Sequence, residues 1–212
     1  MKPFFIAIIA TVFVCGMLHA DDIQVNPEFA KAGADFDAAL WETAYTLQDF
    51  KVPLDDGKLE APTNSTEIRI GSDGTRVYIR INAFDSAMEH VKVPPPPVDG
   101  YLNKFPSGDH AEFAITANAR FIFAFDCNGN KYLSKDYALE RYCWYELNVR
   151  KTALGWDAIV AFDWDNLVLE KSNAAKAFSF QAARHTEHGQ NTERSFASGR
   201  SLLDSKRLSL VE

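Results

Sequence analysis

Hydrophobic and polar positions alternate cleanly over residues 76–82, with Val77, Ile79 and Ile81 on one face and Tyr78, Arg80 and Asn82 on the other. A period of two is the mark of a half-buried strand. Residues 66–70 alternate as well, and Gly71-Ser72-Asp73-Gly74 between the two runs supplies turn chemistry for a hairpin. Short aromatic-rich runs at 111–116 and 121–126 read as strands, with Asn118 and its neighbours as the turn between them. Asn128-Gly129 is a strong hairpin signal between 121–126 and 131–133. Residues 144–149 and 156–162 form another strand pair around Leu154-Gly155, and 178–184 and 207–211 alternate to the C-terminus. Helical periodicity is confined to about one turn near 165–169. Many short strands without regularly interposed helices predict an all-β fold, an antiparallel two-sheet β-sandwich of the jelly-roll or immunoglobulin-like kind, in a single domain. The longest irregular stretch, 86–108, contains Pro94-Pro95-Pro96-Pro97, which is extended and polyproline-like.

The first residues follow a different pattern. Lys2 precedes an apolar run from 4 to 14, followed by Cys15 to Ala20, the three parts of a secretory signal peptide with cleavage expected after Ala20. The run is too short to span a bilayer, and no later segment is apolar enough to do so. The expected organisation is therefore a signal peptide at 1–20 and one domain at 21–212, in a secreted or periplasmic protein. Removing the signal leaves 21 basic against 29 acidic residues, a net charge of -8. Mixed charge with an acidic excess argues against nucleic acid as a partner. It also leaves Cys127 and Cys143 as an even pair in an oxidising compartment. A disulfide between them would close a loop of 17 residues and contribute roughly 3 kcal/mol; two separate buried thiols are the other reading.

Several chemistries find no support. There is no Gly-x-Ser-x-Gly elbow, no His-Glu-x-x-His helix and no cysteine nucleophile outside the cysteine pair. Asp126-Cys127-Asn128-Gly129-Asn130 lacks the distal Glu of a calcium loop and suits a hairpin turn better. His185-Thr186-Glu187-His188 lacks zinc-site spacing and reads as solvated loop histidines.

Taken in order, the elements resemble carbohydrate-binding module family 9 and its wider DOMON-like relatives, over roughly Phe36 to the C-terminus. The resemblance rests on Phe36-Asp37-Ala38-Ala39-Leu40-Trp41, then Asp109-His110-Ala111-Glu112 opening an apolar strand. It continues through the strand ending at Asn128-Gly129, Gly155-Trp156 leading to Phe162-Asp163-Trp164, and the closing runs at 178–184, 195–196 and 208–211. It implies a secreted, non-catalytic domain that binds a polysaccharide or oligosaccharide, alone or beside a secreted glycoside hydrolase system. Aromatic faces would cover the sugar's C–H side and carboxylates its hydroxyls. Glu112 matches a sugar-contacting Glu of the family. Asp109 is a second candidate, although it also suits the turn after Ser107-Gly108. The family's sandwiching Trp pair is absent, and Ala124 stands where it has a binding Arg, so Tyr101, Phe105 and Phe196 are the stacking candidates. Trp41, Trp156 and Trp164 are expected in the core or at a sheet edge. The family often carries structural calcium, for which acids such as Asp21, Asp22 or Asp35 are available. The wider group also contains haem-binding electron-transfer domains, for which Met88, His90 and His110 are the available side chains. A structural surface domain with no small ligand is a third reading.

Overall fold

The computed structural model describes residues 21–85, 87–91, 93, 106–117, 120–134, 145–167, 176–188 and 191–211. The expected signal peptide, the Pro94–Pro97 run, Tyr101, Phe105, Cys143 and Trp144 lie outside them. Among the described residues the chain forms fourteen strands. These are β1 (Asp21–Gln24), β2 (Tyr45–Leu47), β3 (Val52–Pro53), β4 (Leu59–Glu60), β5 (Thr66–Ser72), β6 (Arg76–Phe84), β7 (His110–Thr116), β8 (Arg120–Asp126), β9 (Lys131–Ser134), β10 (Glu146–Thr152), β11 (Gly155–Asp163), β12 (Ala177–His188), β13 (Asn191–Phe196) and β14 (Lys206–Val211). A short helix, α1 (Phe29–Ala32), and three 3-10 turns complete the order. No helix among the described residues is long and apolar enough to cross a membrane.

Two sheets face each other. One runs β1-β14-β12-β7-β8-β9 with β13 paired to β12; the other runs β10-β11-β6-β5-β2. The all-β sandwich expected from the sequence is therefore present, with one departure. β1 pairs with β14 in parallel, joining the two ends of the domain, whereas all the other strand pairs are antiparallel. The sequence offers no signal for this pairing, because Asp21-Asp22-Ile23-Gln24 buries only Ile23.

The core lies between the sheets and takes alternate residues from each. Phe113, Phe123, Phe125 and Phe180 come from the seven-stranded sheet, and Val77, Ile79, Ile81, Trp156 and Phe162 from the other. Phe123 stacks on Phe113 at 4.8 Å and on Phe162, across the core, at 5.5 Å, offset geometries that add to simple burial. Trp41, Trp156 and Trp164 are all buried, as expected of structural tryptophans.

One turn falls differently from the expectation, and one falls as expected. The β5–β6 turn sits two residues late, at Asp73-Gly74-Thr75, where Asp73 Oδ1 accepts from the backbone N–H groups of Thr75 and Arg76. Gly71 stays in the strand because the Phe29 ring packs where a Cβ would stand, 2.0 Å away. The β8–β9 turn is set by Asp126, whose Oδ1 accepts from the N–H groups of Asn128 and Asn130 while Gly129 takes φ 81°. A hairpin turn, not a calcium loop, explains that segment.

Candidate functional site

The strands that carry Glu112 also bring up what surrounds it. Alternation along β7 sends Phe113 and Ile115 inward and His110, Glu112 and Ala114 to the sheet's other face. On that face β8 places Ala124 directly opposite Glu112, and β12 places Ala183 on the other side. Beyond the two alanines stand Tyr132 and Phe196, so a carboxylate sits between small neighbours with an aromatic residue at each end of the row. The next row sets His110 opposite His185 and His185 opposite Arg194. The two imidazoles stack with centroids 5.0 Å apart.

His110, Glu112, His185 and Arg194 line an open cavity of about 490 Å3, with Thr192 and Glu193 on its β13 side. A smaller cavity of about 280 Å3 shares Thr192 and Glu193 and continues along β13 to Thr63 and His188. Glu193 is fixed between them, its carboxylate accepting from the N–H and Oγ1 of Thr63. Glu112 is 1% exposed and its Oε1 accepts from Arg194 Nη2, while Oε2 is buried without a hydrogen-bond partner. Burial raises its pKa, and Arg194 only partly opposes that. Burial also holds His110 neutral, its pKa lowered to about 4, with Nδ1 2.8 Å from Gly108 O. His185 is lowered as well, again chiefly by burial. The cavity thus offers a carboxylate, a guanidinium, a threonine hydroxyl and two neutral imidazoles, a mixture of donors and acceptors on one wall.

The other sequence candidates are placed as follows. Phe196 shares the Glu112 row, but its ring lies under Arg194, 5.1 Å from the guanidinium carbon, and is 5% exposed. Asp109 turns inward. It is fully buried, 2.6 Å from Arg184 Nη2, and Arg184 in turn lies over the Trp156 ring at 4.7 Å. Asp109 and Glu112, three residues apart at a strand's start, serve opposite sides of the sheet. Tyr101 and Phe105 lie outside the described residues. Cys127 is a buried thiol with a raised pKa, chiefly from burial, and Cys143, its expected disulfide partner, lies outside the described residues.

Among the described residues, two of the acids named for calcium already have partners. Asp21 is held by Tyr45 Oη and Lys206, and Asp35 Oδ1 accepts from the Asp37 N–H. The acids that do converge are Asp85 and Asp109, with His188. There Arg184 already supplies the cation and His188 Nε2 lies 2.8 Å from Asp85, a set unlike the all-oxygen shell calcium takes. Of the residues considered for haem, Met88 packs against the core.

Sequence reading missed Arg194, Thr192 and the true setting of the histidines. His185 and His188 belong to β12 rather than a solvated loop. The run from Ala177 to His188 continues the alternation already visible at 178–184, and following it four residues further would have placed His185 on the Glu112 face.

This is the architecture of the family 9 carbohydrate-binding modules. A family 9 module from Caldicellulosiruptor kristjanssonii in complex with cellotriose superposes with a TM-score of 0.58 at 8% identity, over 90% of this chain and 92% of that one. A candidate carbohydrate-binding protein from Bacteroides uniformis also gives 0.58, at 10% identity over 91% and 100% of the two chains. The Caldicellulosiruptor family 9 structure in complex with glucose gives 0.53, at 10% identity over 90% and 96%. No family model and no curated protein matches the sequence.

Proposed function

We propose that the chain is a secreted, non-catalytic carbohydrate-binding domain whose ligand sits in the Glu112 cavity, serving polysaccharide recognition or degradation beside secreted glycoside hydrolases. The observation that carries this reading is the buried Glu112 carboxylate, half satisfied by Arg194 and flanked by Ala124 and Ala183, in a cavity of polar side chains. Adjacent sugar hydroxyls can donate to a carboxylate and accept from a guanidinium at once, which water-filled apolar clefts cannot reproduce. The shared architecture with modules solved on cellotriose and glucose supports the same reading. Export is supported by the charged, apolar and small-residue order of residues 1–20. Absence of glycosidase chemistry is supported by the placement of Asp109 and Glu112 on opposite sides of the sheet, where they cannot flank one glycosidic bond.

The test is a screen of the purified protein on immobilised polysaccharides and oligosaccharides, followed by calorimetry on any hit with Glu112→Gln and Arg194→Gln. Binding that both substitutions weaken by about tenfold or more, with the melting transition retained, is the expected result. A folded protein that binds no glycan, or binding indifferent to both substitutions, refutes the assignment of this cavity.

A further inference from the structure

The far side of the molecule carries a third cavity. On the outer face of the five-stranded sheet, α1 and the following segment cover Tyr78 and Ile159 with Phe29, Phe36 and Trp41. They stop short of the remaining outward residues of β6, namely Arg80, Asn82 and Phe84, which line a groove of about 530 Å3. Phe84 is 44% exposed.

The cations on this face are unequally supplied. Arg69 is held by Glu67 at 2.6 Å and by Trp41 O at 2.9 Å. Arg150 is held by Asp37 and by Asp157, and Asn82 donates to Asp157 as well. Arg80 has no carboxylate within ion-pair distance among the described residues, and its Nε is buried without an acceptor. The antiparallel register also sets it directly opposite Arg69. Like charges at that spacing, about 5 Å between β-carbons, repel. A sheet that spends two carboxylates on Arg150 and one on Arg69, yet leaves the neighbouring guanidinium bare in a groove, presents a site for an external anion.

We infer that this groove is a second ligand site, for an acidic saccharide whose carboxylate or sulfate pairs with Arg80 while a sugar C–H face lies on Phe84. The guanidinium fork matches a two-oxygen anion. Arg80 and Phe84 stand four residues apart on one face of a strand, about 13 Å, so one ligand reaches both only as an oligosaccharide, with Asn82 between them. Three acids line the groove as well: Asp37 and Glu67 are held by Arg150 and Arg69, while the exposed Glu42 opposes anions and keeps the affinity modest. This inference is independent of the Glu112 cavity.

Calorimetry on the full chain tests it with a tetragalacturonate, the same oligosaccharide fully methyl-esterified, and a sulfated oligosaccharide of equal length. At least one acidic oligosaccharide binds; the esterified one binds at least about tenfold more weakly. Arg80→Gln and Phe84→Ala each weaken acidic binding by a similar factor, Glu42→Gln strengthens it, and Glu112→Gln leaves it unchanged. Which acidic probe binds identifies the anion. Because Arg80 has no internal partner and faces Arg69, Arg80→Gln should also keep or raise the melting temperature, which separates lost binding from lost fold. Three results overturn the inference: no acidic probe binds, the esterified probe binds equally well, or Glu112→Gln rather than Arg80→Gln abolishes the binding. The last would move acidic sugars to the other cavity.

Discussion

Mild acid should weaken the fold through two desolvated imidazoles, His110 above all and His185 after it. His110 is 5% exposed, and burial, with the positive groups Arg194 and Arg184 nearby, lowers its pKa from 6.5 to about 4. In the unfolded chain the same ring protonates at its ordinary value. Between those two values the unfolded chain binds a proton that the folded chain refuses, so stability falls as pH is lowered through the window. The loss is on the order of 1 kcal/mol at pH 5.5 and about 2–3 kcal/mol at pH 4.5. Glu112 and Asp109 work in the opposite sense. Their raised pKa values let the folded chain take up protons first, so they recover stability as the pH falls. The His110 contribution is therefore read as a difference. His110→Asn keeps a donor where Nδ1 faces Gly108 O and does not titrate. Urea unfolding of both proteins at several pH values between about 7.5 and 4.5 should show the wild type losing roughly 1 kcal/mol more than the variant by pH 5.5. Parallel pH profiles for the two proteins would refute the reasoning and mean that His110 is already hydrated in the native state.

Three other outcomes follow from single contacts. Arg184→Met strands Asp109, and with it Asp85, as buried carboxylates without their cation; urea unfolding should register a loss of about 3–5 kcal/mol, much of it restored by adding Asp109→Asn, and a loss near zero would show the pair to be solvated. Gly155 has φ 141°, and a Cβ there would stand 2.0 Å from Ala83 O, so Gly155→Ala should lower the melting temperature by several degrees or prevent folding, whereas a neutral result would mean the β6–β11 register can shift. Iodoacetamide should leave Cys127 unmodified in the native protein and alkylate it in denaturant without reductant, as mass spectrometry would read; failure to alkylate in denaturant would identify a disulfide with Cys143.

Strand existence was legible because each strand states its own period. Val77, Ile79 and Ile81 announce a buried face without reference to anything distant, and so do Phe121, Phe123 and Phe125. The turns were less legible because the residue that decides them is not always the glycine: Asp73, by accepting from the N–H groups beyond it, moves the β5–β6 turn away from Gly71, whereas Asp126 closes the β8–β9 turn where Asn128-Gly129 alone would put it. The parallel β1–β14 pair was invisible, since it joins residues at opposite ends of the chain and buries one isoleucine of four.

The candidate site shows the same division between local and distant information. Glu112 could be chosen from its own strand, but what makes it more than a half-exposed glutamate is supplied by Arg194, 82 residues away, and by Ala183 opposite it. Those partners follow from the β7–β12–β13 register, which no single stretch of sequence encodes. Asp109 illustrates the converse error: adjacency in sequence suggested one site for both acids, yet Arg184, brought opposite Ala111 by the same register, draws Asp109 inward to a structural ion pair. The outward groove was already half written in β6, because Arg80 and Asn82 alternate with the core residues there. Only the register opposite Arg69, and the capture of Glu67, Asp37 and Asp157 by other arginines, distinguishes Arg80 from an ordinary solvated surface charge. Candidate binding side chains are thus distinguished in this fold less by their identity than by whether their cross-strand neighbours leave them unsatisfied.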